Sequence, residues 1–189
     1  TGKLPARAID GNGGEPYLER YFLFRLPGLQ AYIHRFVASD PDRGLHDHPW
    51  GWSLSLVLVG GYCEIRATEV SLNDDLTHSV RAVIRRLLPW EFNFIRGKDF
   101  HRVLLDPGQE AWTLFLHGPR KKDWGFMRNG EYRLVGFKTD YRIRPWWREA
   151  PTGRAMRWRC ANARRAGRIS MIGAAKKMLS IPTRAIKKP

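Results

Sequence analysis

His46 and His48 stand one residue apart in the stretch Gly44-Leu45-His46-Asp47-His48-Pro49-Trp50-Gly51-Trp52. On an extended segment residues i and i+2 project to the same side, so one strand can aim both imidazoles at a single metal ion. A third ligand must come from elsewhere, and the candidates are His34, Glu64, His78, His101 and His117. His101 follows the turn-like Arg96-Gly97-Lys98-Asp99-Phe100 and leads into the apolar Val103 to Leu105, so it can face a barrel interior, as can His34. The set His46, His48 and His101 offers three neutral imidazoles with open positions. That suits a divalent transition metal: Fe(II), Zn(II), Ni(II), Cu(II) or Mn(II). Glu64, just after Gly60-Gly61, is the alternative, a carboxylate that would join the set if it points inward.

Around such a centre Tyr62 and Arg35 are the expected catalytic side chains, and Arg35 and Arg96 are expected to orient an anionic substrate. Trp52 and Trp124 are candidates for contact with the substrate, against the plainer reading of rim or core packing. His117, beside Gly118-Pro119, reads as structural, and Asp47 as a residue that points away from the metal and fixes its loop.

The elements that must position these groups are short and β-rich. Runs at Tyr21 to Leu26, Gln30 to Ala38, Ser53 to Val59, Tyr62 to Thr68, Val80 to Leu88, Glu91 to Ile95, His101 to Leu105, Ala111 to His117 and Tyr132 to Phe137 alternate with turn signals. Those signals include Pro27-Gly28, Gly60-Gly61, Asp106-Pro107-Gly108 and Asn129-Gly130. No long amphipathic helix interrupts them, so the expected fold is all-β, a closed or nearly closed barrel or jelly roll. After Lys138 the texture changes to a Pro- and Trp-bearing connector, and then to an Ala-, Arg- and Met-rich segment with helix propensity. Three parts follow: an N-terminal arm over residues 1–16, a barrel with its connector over 17–150, and a basic, helical extension over 151–189.

From roughly Tyr17 to Phe137 the chain resembles the cupin superfamily. The first motif of that family fits His46-x-His48 followed by Gly60, and the second fits Pro89, Gly97 and His101. The slot that often holds a ligating Glu holds Ser53, and one extra residue separates Gly97 from His101. The resemblance implies a double-stranded β-helix. With the Glu slot lost, the site is similar to the three-His thiol dioxygenase branch and its diketone-cleaving relatives, in which iron activates dioxygen. The expected function is therefore a mononuclear Fe(II) oxygenase or dioxygenase acting on a small polar or anionic substrate. The combination of His-Asp-His-Pro-Trp, Gly-Gly-Tyr-x-Glu and the later Trp-Thr-Leu-Phe also resembles small cupins of bacteria and their phages. A homodimer is a further expectation by family analogy.

Composition adds one feature and removes several. The 189 residues carry 33 Lys and Arg against 18 Asp and Glu, a formal charge of +15. Eleven of those cations and no acid lie in Pro151 to Pro189, so the preceding body is only mildly basic. Such a segment is attracted to phosphates or anionic surfaces. Arg157, Arg159, Arg164, Arg165, Arg168, Lys176 and Lys177 are the candidate nucleic-acid contacts. The alternative function is then a noncatalytic metal-binding cupin tied to nucleic acid or a virion through this extension. Two cysteines about a hundred residues apart indicate neither a disulfide framework nor a metal ribbon. A reducing compartment, the cytoplasm of a bacterium or of a phage-infected cell, is the expected location. No apolar run approaches the roughly 20 residues that span a bilayer.

Overall fold

The computed structural model describes residues 1–11, 14–135, 148 and 150–157. Among the described residues there are twelve strands: β1 (Ala6–Asp10), β2 (Pro16–Leu26), β3 (Leu29–Phe36), β4 (Leu45–His46), β5 (Trp52–Val59), β6 (Tyr62–Leu72), β7 (His78–Leu87), β8 (Phe92–Arg96), β9 (His101–Leu104), β10 (Ala111–His117), β11 (Trp124–Arg128) and β12 (Glu131–Val135). The pairings are nested: β6 with β7, β5 with β8, β4 with β9 and β3 with β10, all antiparallel. That is the pattern of one long hairpin. Winding the hairpin so that β10 also meets β5, and β9 also meets β6, gives a double-stranded β-helix. Two six-stranded sheets result, ordered β1-β2-β3-β10-β5-β8 and β12-β11-β4-β9-β6-β7.

The expected runs reappear as strands, with three additions. β1 forms inside the segment read as an N-terminal arm and pairs with β2. The two-residue β4 carries His46, and β11 joins β4 to β12. At the other end residues 153–157 are helical, and Pro151 and Thr152 are tied to the barrel by Ala6 N–H to Pro151 O at 2.9 Å and a Pro5–Thr152 bridge. The remainder of the expected helical extension, from Trp158 onward, lies outside the described residues.

The interior divides along the strands because of what each strand turns inward. β5 and β10 alternate strictly, with Ser53, Ser55 and Val57 inward on one, and Ala111, Thr113, Phe115 and His117 inward on the other. The leucines of β5 therefore face outward, and its small polar residues line the barrel. At the Val57 and Ala111 end, Leu18, Phe36, Tyr62, Leu87 and Val103 complete an apolar plug. Each large side chain buried there contributes about 1.5–3 kcal/mol. Near the other end the buried cluster is aromatic, with Tyr32, Trp50 and Phe115 against Phe22 and Trp124. A third cluster lies on the outer face of the first sheet, where Ala6, Tyr21 and Met156 pack with Ile33 and Trp112. Residues of the plug and of the aromatic cluster line one cavity between them.

Two glycines hold the loop that bears the histidines. Gly44 has φ +91, a conformation other residues rarely adopt, and a Cβ there would meet Met127 O at 2.1 Å. A Cβ on Gly97 would lie 2.2 Å from Trp50 O and 3.4 Å from His48 O. The β8–β9 turn thus presses directly against the backbone of the His48–Trp50 segment.

Candidate metal centre

His46 and His101 face each other across the β4–β9 pair, which puts their side chains within reach on one face. His48 follows two residues on, from the same side of the chain. The three ligand nitrogens lie within 4.8 Å of one another. Nε2 of His48 and Nε2 of His101 are 2.7 Å apart, and the His46 ring centroid is 4.6 Å from that of His101. The structure therefore brings together the three histidines read from the sequence.

The donor set fits a metal ion on the chemistry of its hydrogen bonds. Nδ1 of His101 donates to Glu64 Oε1 at 2.8 Å, so the proton sits on Nδ1 and Nε2 presents a lone pair toward His48. Burial pushes His46 and His48 well below the ordinary imidazole range, which keeps both neutral, as ligands must be. Nδ1 of His46 lies 3.7 Å from Asp40 Oδ2, too long for a hydrogen bond but close enough to orient the ring electrostatically. Asp40 itself accepts the Val103 N–H at 2.8 Å, and its burial raises its carboxyl above the usual range.

Glu64 is placed one step behind the cluster. Its carboxylate is fully buried and accepts from His101, so it holds that ring in place, whereas the sequence reading offers it as a ligand in its own right. Three other contacts secure it, from Arg85 Nε at 2.6 Å, Arg66 Nη2 at 3.1 Å and Asn93 Nδ2 at 2.9 Å, and Asn93 Nδ2 also donates to the Tyr62 hydroxyl at 3.2 Å. Burial alone would raise the carboxyl, but the bonds from His101 and Asn93 and the charge of Arg66 outweigh it and hold it near 2. Asp47 also points away from the cluster. It accepts the Gly125 N–H at 2.7 Å and bonds Lys122 and Tyr132, which ties β11 and the Trp124 ring over the histidines.

The histidines open on a cavity of about 740 Å³. Tyr62 lines it, accepting from Asn93, and burial pushes its hydroxyl up to about 12, so it is a phenol at neutral pH. Trp124 lines it as well, 5.2 Å from the His48 ring and 5.7 Å from that of His46. Ser53, in the slot where the resembled family often has a Glu, is buried, and its Oγ has no partner among the described residues.

Three other expected residues stand elsewhere. Arg35 sits on the outer face of the first sheet, bonded to Glu19 and Glu110 and over the Trp112 ring, because alternation turns its neighbours His34 and Phe36 inward instead. Arg96 is exposed and held by Asp99. Trp52 points outward beneath Gly118, away from the cavity. The inward guanidinium that the sequence reading missed is Arg20 on β2, with His34 and His117 beside it. β2 is buried on both faces over Leu18 to Tyr21, so period-two alternation gives no inside and outside there. Of the candidate nucleic-acid contacts only Arg157 is described. It lies over the Tyr21 ring at 5.9 Å and donates to Gly153 O, against the barrel. Arg159, Arg164, Arg165, Arg168, Lys176 and Lys177 lie outside the described residues.

No protein-family model matches the sequence, and no curated protein matches it. Solved structures with a similar shape include Fe(II) HppE in complex with substrate, at 15% identity over 60% of this chain and 56% of that one, with a TM-score of 0.45. A cupin-2 domain protein, Rru_A2000 of Rhodospirillum rubrum, aligns at 12% identity over 70% and 76% of the two chains, TM-score 0.45. KdgF of Halomonas sp. aligns at 22% over 60% and 90%, TM-score 0.38. The chain spans about half the length of the HppE structures it matches. The double-stranded β-helix itself is fixed by the strand order, and among the described residues no helix is long and apolar enough to cross a membrane.

Proposed function

We propose that this cupin-fold protein is a mononuclear metal-dependent oxygenase or dioxygenase, with Fe(II) held by His46, His48 and His101, acting on a small polar or anionic molecule. The observation that carries the reading is the buried three-His cluster with one ring locked by Glu64, opening on a cavity large enough for a small substrate. Zn(II), Ni(II) and Mn(II) are the other ions that such a donor set accepts. When bound, Fe(II) would supply a Lewis acid and a one-electron donor toward dioxygen beside the substrate. The chain's own contributions are separate from that chemistry. Glu64 fixes the His101 tautomer, Tyr62 offers a phenolic proton to the substrate, and Trp50 and Trp124 keep water from the histidines.

Dioxygen uptake tests this reading. Protein purified without oxygen and loaded with Fe(II) is expected to consume dioxygen when a substrate from a panel of small carboxylates and thiols is added, and His46→Ala is expected not to. Substrate turnover that needs zinc and no dioxygen would replace the oxygenase with a hydrolase or isomerase. The other reading, a noncatalytic metal-binding module on nucleic acid or a virion, rests on the extension, of whose candidate contacts Arg157 lies against Tyr21 and Gly153. Removing residues 158–189 is expected to spare turnover. Loss of nucleic-acid binding with no turnover to lose would favour the module. A second copy of the chain as partner and a cytoplasmic location complete the proposal.

A further inference from the structure

The outer face of the first sheet is apolar from β2 to its β8 edge. The alternation that turns Ser53, Ser55, Phe115 and His117 into the barrel turns Leu54 and Leu56 of β5, and Leu114 and Leu116 of β10, outward. Register lines these side chains up in two rows across the strands. One row runs Tyr21, Ile33, Leu114, Leu56, Phe92, and the parallel row runs from Phe24 through Leu116 and Leu54 to Phe94. Neither row holds a charged side chain.

The two ends of the first row differ in their cover. At its head Tyr21 is 0% exposed, because residues 151–157 lie on it: Met156 packs in one cluster with Tyr21 and Ile33, and the Arg157 guanidinium carbon is 5.9 Å from the Tyr21 ring centre. At the foot of the two rows Phe92 and Phe94 are 63% and 53% exposed. A contiguous apolar surface of this kind marks a place where something docks. Arg157 is the last described residue, so the chain leaves the barrel on this face, at the covered head of the row.

The sequence that follows has the pattern to cover the rest. Met171, Ile172, Ala175, Met178 and Leu179 recur at i, i+1, i+4, i+7 and i+8, the apolar stripe of an amphipathic helix, and Ser170, Lys176 and Lys177 fall outside that stripe. At 1.5 Å per residue a helix over 171–179 is about 12 Å long, and the three strand spacings from Ile33 to Phe92 make about 14 Å. The residues between, 158–170, reach roughly 40 Å when extended, more than the face requires. A segment tethered in this way competes at an effective concentration of about millimolar, which a second copy of the chain at micromolar concentration does not match.

We propose that residues 171–179 dock as an amphipathic helix on the outer face of the first sheet, over Leu114, Leu56 and Phe92, with Lys176 and Lys177 turned to solvent. The face lies on the opposite side of the sheet from the cavity, so the inference does not depend on the metal or on the proposed activity. It makes the basic extension a part of the barrel wall.

Photo-cross-linking in the full chain tests it. Phe92→benzoylphenylalanine, irradiated in dilute solution and mapped by peptide mass spectrometry, is expected to give a product of one chain's mass that joins position 92 to a peptide from 158–189. Phe94→benzoylphenylalanine repeats the test from the neighbouring row. The same group placed by Leu72→benzoylphenylalanine, exposed on the second sheet, is expected to give none of that product. Ile172→Asp with Leu179→Asp is expected to cut the yield from position 92 by about tenfold or more, because docking then buries two carboxylates. Lys176→Gln with Lys177→Gln is expected to keep the yield within about twofold, since both side chains face water. Both pairs lie outside the strands, so metal stoichiometry is expected to stay at the wild-type value and report an intact barrel. A product of twice the chain's mass would put a second copy on the face and overturn the proposal. So would links to any other segment, no product from either position, or a yield that the two aspartates leave unchanged.

Discussion

Glu64 and Glu19 are both buried carboxylates gripped by arginine, one inside the barrel and one on the outer face of the first sheet. Glu19 accepts the Tyr21 hydroxyl at 2.5 Å and faces Arg35, which is shared with Glu110 and lies over Trp112. That cluster ends on the packing of Tyr21 with Ala6 and Met156, where the N-terminal strand and residues 151–157 close over the sheet. Glu64 takes Arg85 on Oε2, and its Oε1 accepts from Arg66, Asn93 and His101 together. The two constellations use nearly the same side chains. What differs is the residue at the end of the chain of bonds: an imidazole with a lone pair on one side of the barrel wall, an apolar seam on the other.

The comparison can be broken by substitutions that treat the two carboxylates alike. Glu64→Ala leaves Arg66, Arg85 and His101 facing an uncompensated gap, so the unfolding free energy is expected to fall by about 3–5 kcal/mol in a denaturant titration. In the same variant metal affinity is expected to fall about 10–100-fold, because a ligand loses the partner that sets its tautomer. Gly97→Ala drives a methyl against the Trp50 carbonyl, and neither backbone can yield easily. A cost of about 1–3 kcal/mol is expected, accompanied by weaker metal binding in a competition assay, since the displaced segment carries His48. Glu19→Ala is expected to cost about 1–3 kcal/mol and leave metal stoichiometry untouched, since Arg35 retains Glu110. Equal metal loss in the Glu19 and Glu64 variants would erase the distinction between the two clusters.

The histidine cluster was legible because it needs only local rules. His46 and His48 share a side by strand alternation, and His101 enters a strand right after a glycine turn. The nested hairpin, too, follows from runs and turns that are visible in order. Glu64 was harder, since its distance from the cluster differs by one imidazole ring between ligating and supporting, and no spacing encodes that. Arg20 was missed in favour of Arg35 for a similar reason: β2 is buried on both faces, and the bulge between Phe22 and Phe24 shifts its register against β3. Asp40 needed the contact with β9, sixty-odd residues away, to become a neighbour of His46. The inward serines of β5 invert the usual expectation, because the interior at that end is a polar cavity and the leucines serve the outer face.

The central claim is that three histidines hold one metal ion. Elemental analysis of protein purified without oxygen, wild type beside His46→Ala, tests it most directly. The account predicts close to one equivalent of a first-row transition metal in the wild type, iron if the oxygenase reading holds, and almost none in the variant. A metal-free wild type, or metal retained at full stoichiometry in His46→Ala, would contradict it.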